Sequence, residues 1–183
     1  MFIRGIILGA GKASRMGYNK LAIKIENSTI VQRVIENAKA SKLDELVFIT
    51  GKYDIFTDII KFQNEEYETG MSTSIIKGLQ GFKGEAVMIL LGDMPFVSSD
   101  IINILYDGFI KSNKNIVVPV NESKRGNPVI IGKKYFKDLL NNEGDKGARD
   151  IIKNNPEDVL QIEIEDRGIF IDIDDENAVG KFL

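Results

Sequence analysis

Short apolar runs alternate with amphipathic segments along nearly all of the 183 residues of this chain. The runs Ile3–Leu8 and Ala86–Leu91 have the length and the apolar character of buried strands. The segments Thr29–Ala40 and Ser98–Ile110 instead place their apolar residues on one helical face. This alternation predicts βαβ units, and therefore a three-layer α/β fold with a mostly parallel, doubly wound sheet. Since we find no linker and no internal repeat, we expect a single domain over residues 1–183.

The other predicted elements follow the same rhythm. Further strands are predicted at Glu45–Thr50, Asn115–Val120, Pro128–Ile131, Val159–Ile164 and Ile169–Ile173, and further helices at Met71–Leu79, Tyr135–Leu140, Lys146–Ile152 and Glu176–Leu183. Ser28 is the expected cap of the first helix, and Ser98 or Ser99 that of the third. The strand at 128–131 is a candidate for an antiparallel direction. Ligands of such sheets bind beyond the carboxyl ends of strands where the strand order reverses, so residues after strands are candidates for function.

The composition excludes several kinds of chemistry. The chain has no cysteine and no histidine, so disulfides, thiolate or imidazole metal sites and Ser-His-Asp catalysis are ruled out. Carboxylates, cations, hydroxyls, backbone N–H groups and a bound hard cation remain, which suits phosphoryl or nucleotidyl transfer. The net charge of −3 argues against nucleic acid as a partner. No apolar run has the length of a membrane span or the layout of a signal peptide, so we expect a cytoplasmic protein without a membrane partner.

The segment after the first predicted strand is rich in glycines and cations. It reads Gly9-Ala10-Gly11-Lys12-Ala13-Ser14-Arg15-Met16-Gly17-Tyr18-Asn19-Lys20. Glycines allow backbone N–H groups to approach phosphate oxygens closely, and the basic side chains add positive charge. The Walker A pattern fails because Tyr18 stands where it requires a lysine, and the dinucleotide fingerprint fails because Ser14 replaces its third glycine. An anion site is the favoured interpretation, and a glycine turn with solvated cations is the alternative.

Three aspartates follow predicted strands. Asp93 follows the predicted central strand in the string Leu90-Leu91-Gly92-Asp93-Met94-Pro95. A carboxylate at such a strand end, directed into the ligand crevice, suits Mg²⁺. A turn aspartate without a metal is the alternative. Strand alternation places Asp172 and Asp174 on one side of the last predicted strand, so they are candidates for the second half of a metal site. Asp174 is preferred and Asp172 is a further candidate, whereas helix capping by Asp174 or Asp175 is the alternative.

Three other segments carry hydroxyls or cations. They are Glu68-Thr69-Gly70-Met71-Ser72-Thr73-Ser74, Arg125-Gly126-Asn127-Pro128-Val129 and Gly144-Asp145-Lys146-Gly147-Ala148-Arg149. Hydroxyls at the N-terminus of a predicted helix suit a second anion, although ordinary capping is the alternative. From residue types alone, Lys146 and Arg149 would be solvated cations at the start of a helix.

The string from Leu8 to Gly17, followed by Lys20, resembles the signature loop of nucleotidyltransferases of the molybdenum cofactor and sugar-nucleotide type. The string Gly92-Asp93-Met94-Pro95 is also similar to that superfamily, in which the aspartate carries the metal. The strings Gly70-Met71-Ser72-Thr73-Ser74 and Gly144-Asp145-Lys146-Gly147-Ala148-Arg149 resemble those of molybdenum cofactor cytidylyltransferases in particular. The resemblance covers nearly the whole chain and implies a fold like that of the nucleotide-diphospho-sugar transferases.

The resemblance also implies a role for each matching residue. Catalytic roles fall to Arg15, Lys20 and Asp93, and nucleotide binding to Leu8, Gly9, Ala10, Gly11, Lys12, Ser14, Arg15, Lys20 and Gly92. Acceptor binding falls to Gly70, Met71, Ser72, Ser74, Arg125, Asn127, Lys146 and Arg149, and Mg²⁺ binding to Asp93 with Asp174 or Asp172. The chain departs from the family at two places. Asn127 stands where relatives usually carry histidine, and Asp175-Glu176 stands where they carry Thr-Pro.

The implied reaction transfers CMP from CTP to the terminal phosphate of a molybdopterin-type cofactor and releases pyrophosphate. Transient handover of the product to a molybdenum hydroxylase is also implied. Guanylyl relatives usually carry Gly-Gly where this chain has Ala10-Gly11, which favours CTP. Three alternatives remain open: a guanylyltransferase on the same acceptor, a nucleotidyltransferase acting on a sugar phosphate or another phosphorylated alcohol, and a nucleotide-binding accessory domain without catalysis. A dinucleotide-dependent oxidoreductase is disfavoured by the failed fingerprint.

Overall fold

The structure is a computed structural model that describes residues 1–10 and 19–174. The strands in chain order are β1 (Ile3–Gly9), β2 (Lys24–Ile25), β3 (Ser28–Thr29), β4 (Glu45–Thr50), β5 (Ile60–Gln63), β6 (Ala86–Leu91), β7 (Ile116–Asn121), β8 (Lys124–Arg125), β9 (Val129–Gly132) and β10 (Val159–Glu163). The α-helices are α1 (Ile30–Lys39), α2 (Met71–Leu79), α3 (Ser99–Lys111), α4 (Phe136–Leu140) and α5 (Arg149–Asn154). None of the helices within the described ranges is long and apolar enough to cross a membrane.

Eight of the described strands form one mixed, mostly parallel sheet. Its order is β10-β7-β9-β6-β1-β4-β5, and β8 pairs with the last two residues of β7. The strand β1 pairs in parallel with β4 on one side and with β6 on the other. The strand β9 runs antiparallel to both β6 and β7, as the sequence suggested for this segment. The strand order therefore reverses beside β1, and the carboxyl ends of β1 and β6 meet at this switch point.

Helices cover both faces of the sheet, which confirms the predicted three-layer fold. Alternate residues of β1 show the arrangement, because Ile3 and Ile7 pack in one core cluster with the buried residues of α1 and α3. Ile6 packs in the other cluster, with residues of α2, α4 and α5. The helix α2 approaches β1 closely at Gly78, where an added Cβ atom would lie 2.5 Å from Cγ2 of Ile6. This close packing directs the first turn of α2 towards the carboxyl end of β1.

Most predicted elements are present, and two local predictions are wrong. Residues 169–173 do not form a strand, because a 3₁₀ turn at Arg167–Phe170 is capped by the carboxylate of Asp166 and residues 171–174 pair with no strand. The cap of α1 is Thr29 rather than Ser28, because the hydroxyl of Thr29 accepts from the N–H of Gln32 and the Gln32 side chain accepts from the N–H of Thr29. The predicted cap Ser98 of α3 is confirmed.

Two further predictions concern helix boundaries. The helix predicted at 146–152 begins only at Arg149, because Gly147 adopts a positive φ of 55° and separates α5 from the 3₁₀ turn at Gly144–Lys146. The helix predicted at 176–183 lies outside the described residues. The short strand β5 and the hairpin of β2 and β3 were not predicted, because their apolar residues are too few to show a period.

Candidate active site

The carboxyl ends of β1 and β6 lie side by side, and glycine makes this possible. The backbone N–H of Gly92 donates to the carbonyl oxygen of Leu8 at 2.9 Å. A Cβ atom at residue 92 would lie 2.7 Å from that same oxygen, so a larger residue would force the two chains apart. Asp93 follows directly and therefore lies near the end of β1, where it lines one cavity together with Leu8 and Ala10.

Two distant segments bring three carboxylates together at this position. One oxygen from each of Asp93, Asp172 and Asp174 lies within 4.8 Å of the others. The backbone N–H of Ile173 donates to the carbonyl oxygen of Asp93 at 2.9 Å, and the Ile173 side chain is fully buried. The aspartates that flank Ile173 therefore reach the same side, as predicted, although the segment is not a strand. A set of three oxygen donors suits a hard divalent cation such as Mg²⁺.

The side chain of Lys20 contacts this group of carboxylates. Its Nζ lies 2.7 Å from Oδ2 of Asp93 and 3.0 Å from Oδ1 of Asp174. Its backbone begins a 3₁₀ turn that is capped by the side chain of Asn19, which accepts from the N–H of Leu21 at 3.1 Å. Burial lowers the pKa of the Lys20 ammonium, but the two carboxylates outweigh burial and raise this pKa above its usual value. Lys20 is therefore a positively charged group at the centre of the site.

A first cavity extends from the end of β1 to the first turn of α2. Its lining residues are Leu8, Ala10, Tyr67, Gly70, Met71, Ser74, Leu91, Asp93 and Asp145. Most of these residues are apolar or uncharged, and Asp93 and Asp145 are the two charged ones. Ala10 is one of the residues that line the cavity, and it is buried. This cavity can therefore enclose a flat apolar group beside a charged one.

A second, more basic cavity lies next to the first and shares Met71, Leu91 and Asp145 with it. Its polar lining includes Arg125, Asn127, Asp145, Lys146 and Arg149. Burial and the neighbouring positive charge of Arg149 both lower the pKa of the Arg125 guanidinium. The side chain of Lys146 pairs with Asp150 at 3.0 Å, whereas neither guanidinium forms an ion pair with any described residue. Two such close guanidinium groups favour an anionic ligand such as a phosphate.

The structure brings most of the predicted site residues to these two cavities. Around the first cavity lie Leu8, Gly9, Ala10, Lys20, Gly92, Asp93, Asp172 and Asp174. The start of α2 brings Gly70, Met71 and Ser74 to the same cavity. The second cavity is lined by Arg125, Asn127, Lys146 and Arg149. Ser72 is different, because it is 1% exposed, lines neither cavity and has a hydroxyl without a hydrogen-bond partner in the described part of the chain. The predicted residues Gly11, Lys12, Ser14 and Arg15 lie outside the described residues.

Sequence reasoning missed three residues that line the first cavity, Tyr67, Leu91 and Asp145. The helix α2 has no side-chain cap of its own, because Gly70 occupies the N-cap position. Oδ1 of Asp145 instead accepts a hydrogen bond from the N–H of Met71 at 3.1 Å. The contact depends on two glycines, since a Cβ atom on Gly70 would lie 2.3 Å from the carbonyl carbon of Gly144. The one signal in the sequence was the glycine at the N-cap of α2, which leaves the first N–H groups of the helix in need of an acceptor from elsewhere.

The fold and the site together define a class of protein. A mostly parallel sheet carries a ligand crevice at its switch point, with a carboxylate group on one side and a guanidinium pair on the other. This is the arrangement of an α/β nucleotidyltransferase of the nucleotide-diphospho-sugar transferase fold. Residues 5–159 match the family described as the MobA-like NTP transferase domain. The chain belongs to this family and is a nucleotidyltransferase.

Individual relatives agree with this assignment. A probable molybdenum cofactor guanylyltransferase of Clostridium perfringens (strain 13 / Type A) is 29% identical over 150 residues, which cover 80% of this chain and 74% of the relative. The molybdenum cofactor cytidylyltransferase of Escherichia coli (strain K12) is 25% identical over 177 residues, which cover 92% and 89%. The crystal structure of Rv0371c from Mycobacterium tuberculosis H37Rv superposes with a TM-score of 0.87 at 19% identity, over 100% of this chain and 97% of that one. This last likeness concerns the fold.

Proposed function

We propose that the chain is a Mg²⁺-dependent molybdenum cofactor cytidylyltransferase. It would transfer CMP from CTP to the terminal phosphate of a molybdopterin-type cofactor and release pyrophosphate. The observation that carries the proposal is that the first cavity, lined by Asp93 of the carboxylate group, adjoins a second cavity lined by Arg125 and Arg149. Relatives named for molybdenum cofactor nucleotidyl transfer support the choice of acceptor.

The basic cavity matches the charge of the proposed acceptor. A phosphate monoester carries close to two negative charges at neutral pH, because its second pKa is about 6. The guanidiniums of Arg125 and Arg149 can each donate two hydrogen bonds to such a group. Since this cavity shares Met71, Leu91 and Asp145 with the first one, an anion held there would lie next to a nucleotide in the first cavity.

The proposed reaction needs no protein base. An oxygen of the acceptor phosphate attacks the α-phosphorus of CTP, a new P–O bond forms, and the bond to the β-phosphate breaks so that pyrophosphate leaves. The attacking oxygen is already deprotonated at neutral pH, which agrees with a chain that lacks histidine. The ammonium of Lys20 stands where it can balance phosphate charge. Catalysis would therefore come from positioning and from charge neutralisation.

The three carboxylates fit the divalent ion that this reaction class uses. The carboxylates of Asp93, Asp172 and Asp174 offer only oxygen donors, and Asp93 also lines the first cavity, in which the nucleotide would bind. A bound Mg²⁺ would neutralise charge on the triphosphate and on the departing pyrophosphate. The chain's own part is to hold these carboxylates together through Gly92 and through the hydrogen bond from Ile173 to Asp93.

Ala10 is the residue that favours a cytosine base. This residue lines the first cavity together with Leu8 and Tyr67, and it is buried. A methyl group at this position reduces the space left for a base, so the smaller pyrimidine fits better than a purine. The discrimination from one methyl group is about 1–3 kcal/mol. A guanylyltransferase is the second candidate, because the relative from Clostridium perfringens bears that name.

The decisive experiment incubates the protein with Mg²⁺, purified molybdenum cofactor and each NTP in turn, followed by mass spectrometry of the products. We expect the cytosine dinucleotide form of the cofactor and one equivalent of pyrophosphate from CTP. A guanine dinucleotide as the main product would favour the second candidate. Turnover only with sugar phosphates would favour the wider sugar-nucleotide class, and tight NTP binding without turnover would favour an accessory domain. Handover of the product to a molybdenum hydroxylase would be tested afterwards with such an enzyme lacking its cofactor.

A further inference from the structure

The ammonium of Lys20 holds two of the oxygens that a divalent cation would need. Its Nζ is 2.7 Å from Oδ2 of Asp93 and 3.0 Å from Oδ1 of Asp174. Both contacts are charge-assisted hydrogen bonds, which are the stronger kind. Because Asp93 and Asp174 are two of the three members of the carboxylate group, Lys20 and a metal ion compete for them.

The backbone that carries these carboxylates is held in place. The N–H of Ile173 is bonded to the carbonyl oxygen of Asp93 at 2.9 Å, and the buried Ile173 side chain anchors the segment between Asp172 and Asp174. Asp93 is held in turn by Gly92, which has no room for a side chain against Leu8. The side chain of Lys20 is long and 27% exposed, so it can turn away from the carboxylates when another anionic partner is offered.

A bound nucleotide would change the outcome of this competition. Its phosphates offer the Lys20 ammonium other partners of opposite charge, and they give the metal further oxygen ligands. We infer that Lys20 keeps the carboxylate group closed to free divalent cations, so that the metal binds together with the nucleotide rather than before it. The inference rests on the proposed function, because it takes Asp93, Asp172 and Asp174 as the metal ligands. Thermodynamic linkage then requires metal and nucleotide to strengthen each other's binding.

The test measures Mn²⁺ binding without any turnover. Mn²⁺ replaces Mg²⁺ because its free form is visible by electron paramagnetic resonance, and both prefer oxygen ligands. The proteins compared are the wild type, Lys20→Met, Lys20→Arg, and Lys24→Met as a matched control at the exposed first position of strand β2. Each is titrated with and without α,β-methylene-CTP, which cannot be turned over.

Without nucleotide, we expect Lys20→Met to bind Mn²⁺ about tenfold more tightly than the wild type, within the usual range of coupling between sites. Lys20→Arg keeps the positive charge, so it should resemble the wild type, and so should Lys24→Met. With the CTP analogue, the Mn²⁺ affinity of the wild type should rise by about tenfold or more, and that of Lys20→Met should rise less.

Two results would overturn the inference. One is a Lys20→Met protein that binds Mn²⁺ no more tightly than the wild type. If the wild type still binds Mn²⁺ in the presence of the nucleotide analogue, this result rejects the role of Lys20 and leaves the metal assignment supported. The other needs no variant and is equal Mn²⁺ affinity of the wild type with and without the analogue. If no protein binds Mn²⁺ under either condition, the metal assignment within the proposed function fails as well.

Discussion

The backbone N–H of Met71 donates a hydrogen bond of 3.1 Å to the carboxylate of Asp145, 74 residues further along the chain. This contact attaches the segment that carries Lys146 and Arg149 to the first turn of α2. It also forms part of the wall between the two cavities, since Asp145 lines both of them. The mutual position of the nucleotide and acceptor cavities therefore depends on a helix cap that comes from outside the helix.

Replacing this cap should affect both stability and acceptor binding. Asp145→Ala should lower the free energy of unfolding by about 1 kcal/mol, the usual effect of losing a helix cap. It should also raise the KM for the acceptor, because the segment that bears Lys146 and Arg149 loses its attachment. Asp145→Asn retains an oxygen that can accept from Met71 and should behave more like the wild type. Urea denaturation and steady-state kinetics measure the two effects, and an unchanged acceptor KM in Asp145→Ala would contradict the structural reading.

Asp93 should be indispensable for turnover but not for folding. Asp93→Asn keeps the shape of the side chain and removes the charge that a metal ion and Lys20 require. We expect kcat to fall by about 10²-fold or more, as for the loss of one essential electrostatic contact. Circular dichroism and the thermal unfolding midpoint should remain close to those of the wild type. Asp100→Asn, on the first turn of α3, is the control, and near-full activity of Asp93→Asn would refute the metal assignment.

The pair Arg125 and Arg149 should determine affinity for the acceptor and not for the nucleotide. Each variant, Arg125→Gln or Arg149→Gln, removes a charged donor from the second cavity. A hydrogen bond to a charged group contributes about 1.5–3 kcal/mol, so the acceptor KM should rise by roughly tenfold or more. The KM for CTP should change little. The control is Arg33→Gln, because the Arg33 side chain pairs with Glu26 away from both cavities. An effect confined to the KM for CTP would reverse the assignment of the two cavities.

Ala10 should limit the choice of base. Ala10→Gly removes the methyl group from a residue that lines the first cavity with Leu8 and Tyr67, which on the proposal leaves more space for a base. The ratio of kcat/KM for GTP to that for CTP should therefore rise by about tenfold, the discrimination expected from one methyl-sized group. Parallel assays with both nucleotides give the ratio directly. If the wild type already prefers GTP, the argument from this methyl group is wrong.

Asp158 should make stability depend on acidic pH. The buried carboxylate accepts from the N–H of Asn115 at 2.9 Å, from Nζ of Lys134 at 2.7 Å and from the hydroxyl of Tyr135 at 2.8 Å. Burial raises the pKa of Asp158, but these hydrogen bonds outweigh burial and hold the pKa well below its usual range. Since the folded-state pKa is depressed, the stabilisation is complete above the ordinary pKa of about 4 and is lost as the pH falls below it.

Asp158→Asn should therefore lower the free energy of unfolding by about 2 kcal/mol at neutral pH and reduce the loss of stability below pH about 4. Urea denaturation at a series of pH values measures both effects. Asp138→Asn, an exposed position on α4, is the control and should leave the pH profile as it is in the wild type. A variant of Asp158 with an unchanged profile would show that the network does not stabilise the fold.

Local periodicity explains why so much of the fold could be predicted. The bounds of β4, α2 and β6 agree with the predicted Glu45–Thr50, Met71–Leu79 and Ala86–Leu91, since each segment contains enough apolar residues in one pattern. The prediction of a strand at 169–173 was wrong, because the buried apolar residues of this segment lie in and after a 3₁₀ turn and do not pair with a neighbouring strand. An apolar residue such as Ile169 indicates that the position is buried, but burial alone does not distinguish a strand from a turn.

The sequence by itself determined the alternation of strands and helices, the glycines at the end of β1, and the aspartate that follows β6. These are properties of neighbouring residues, and periodicity or a short motif is enough to reveal them. Only the tertiary structure decided that Asp172 and Asp174 meet Asp93, that Arg125 faces Arg149, and that Asp145 caps α2. Such partners are separated by tens of residues, and the order of the strands brings them together because all these segments converge at one edge of the sheet.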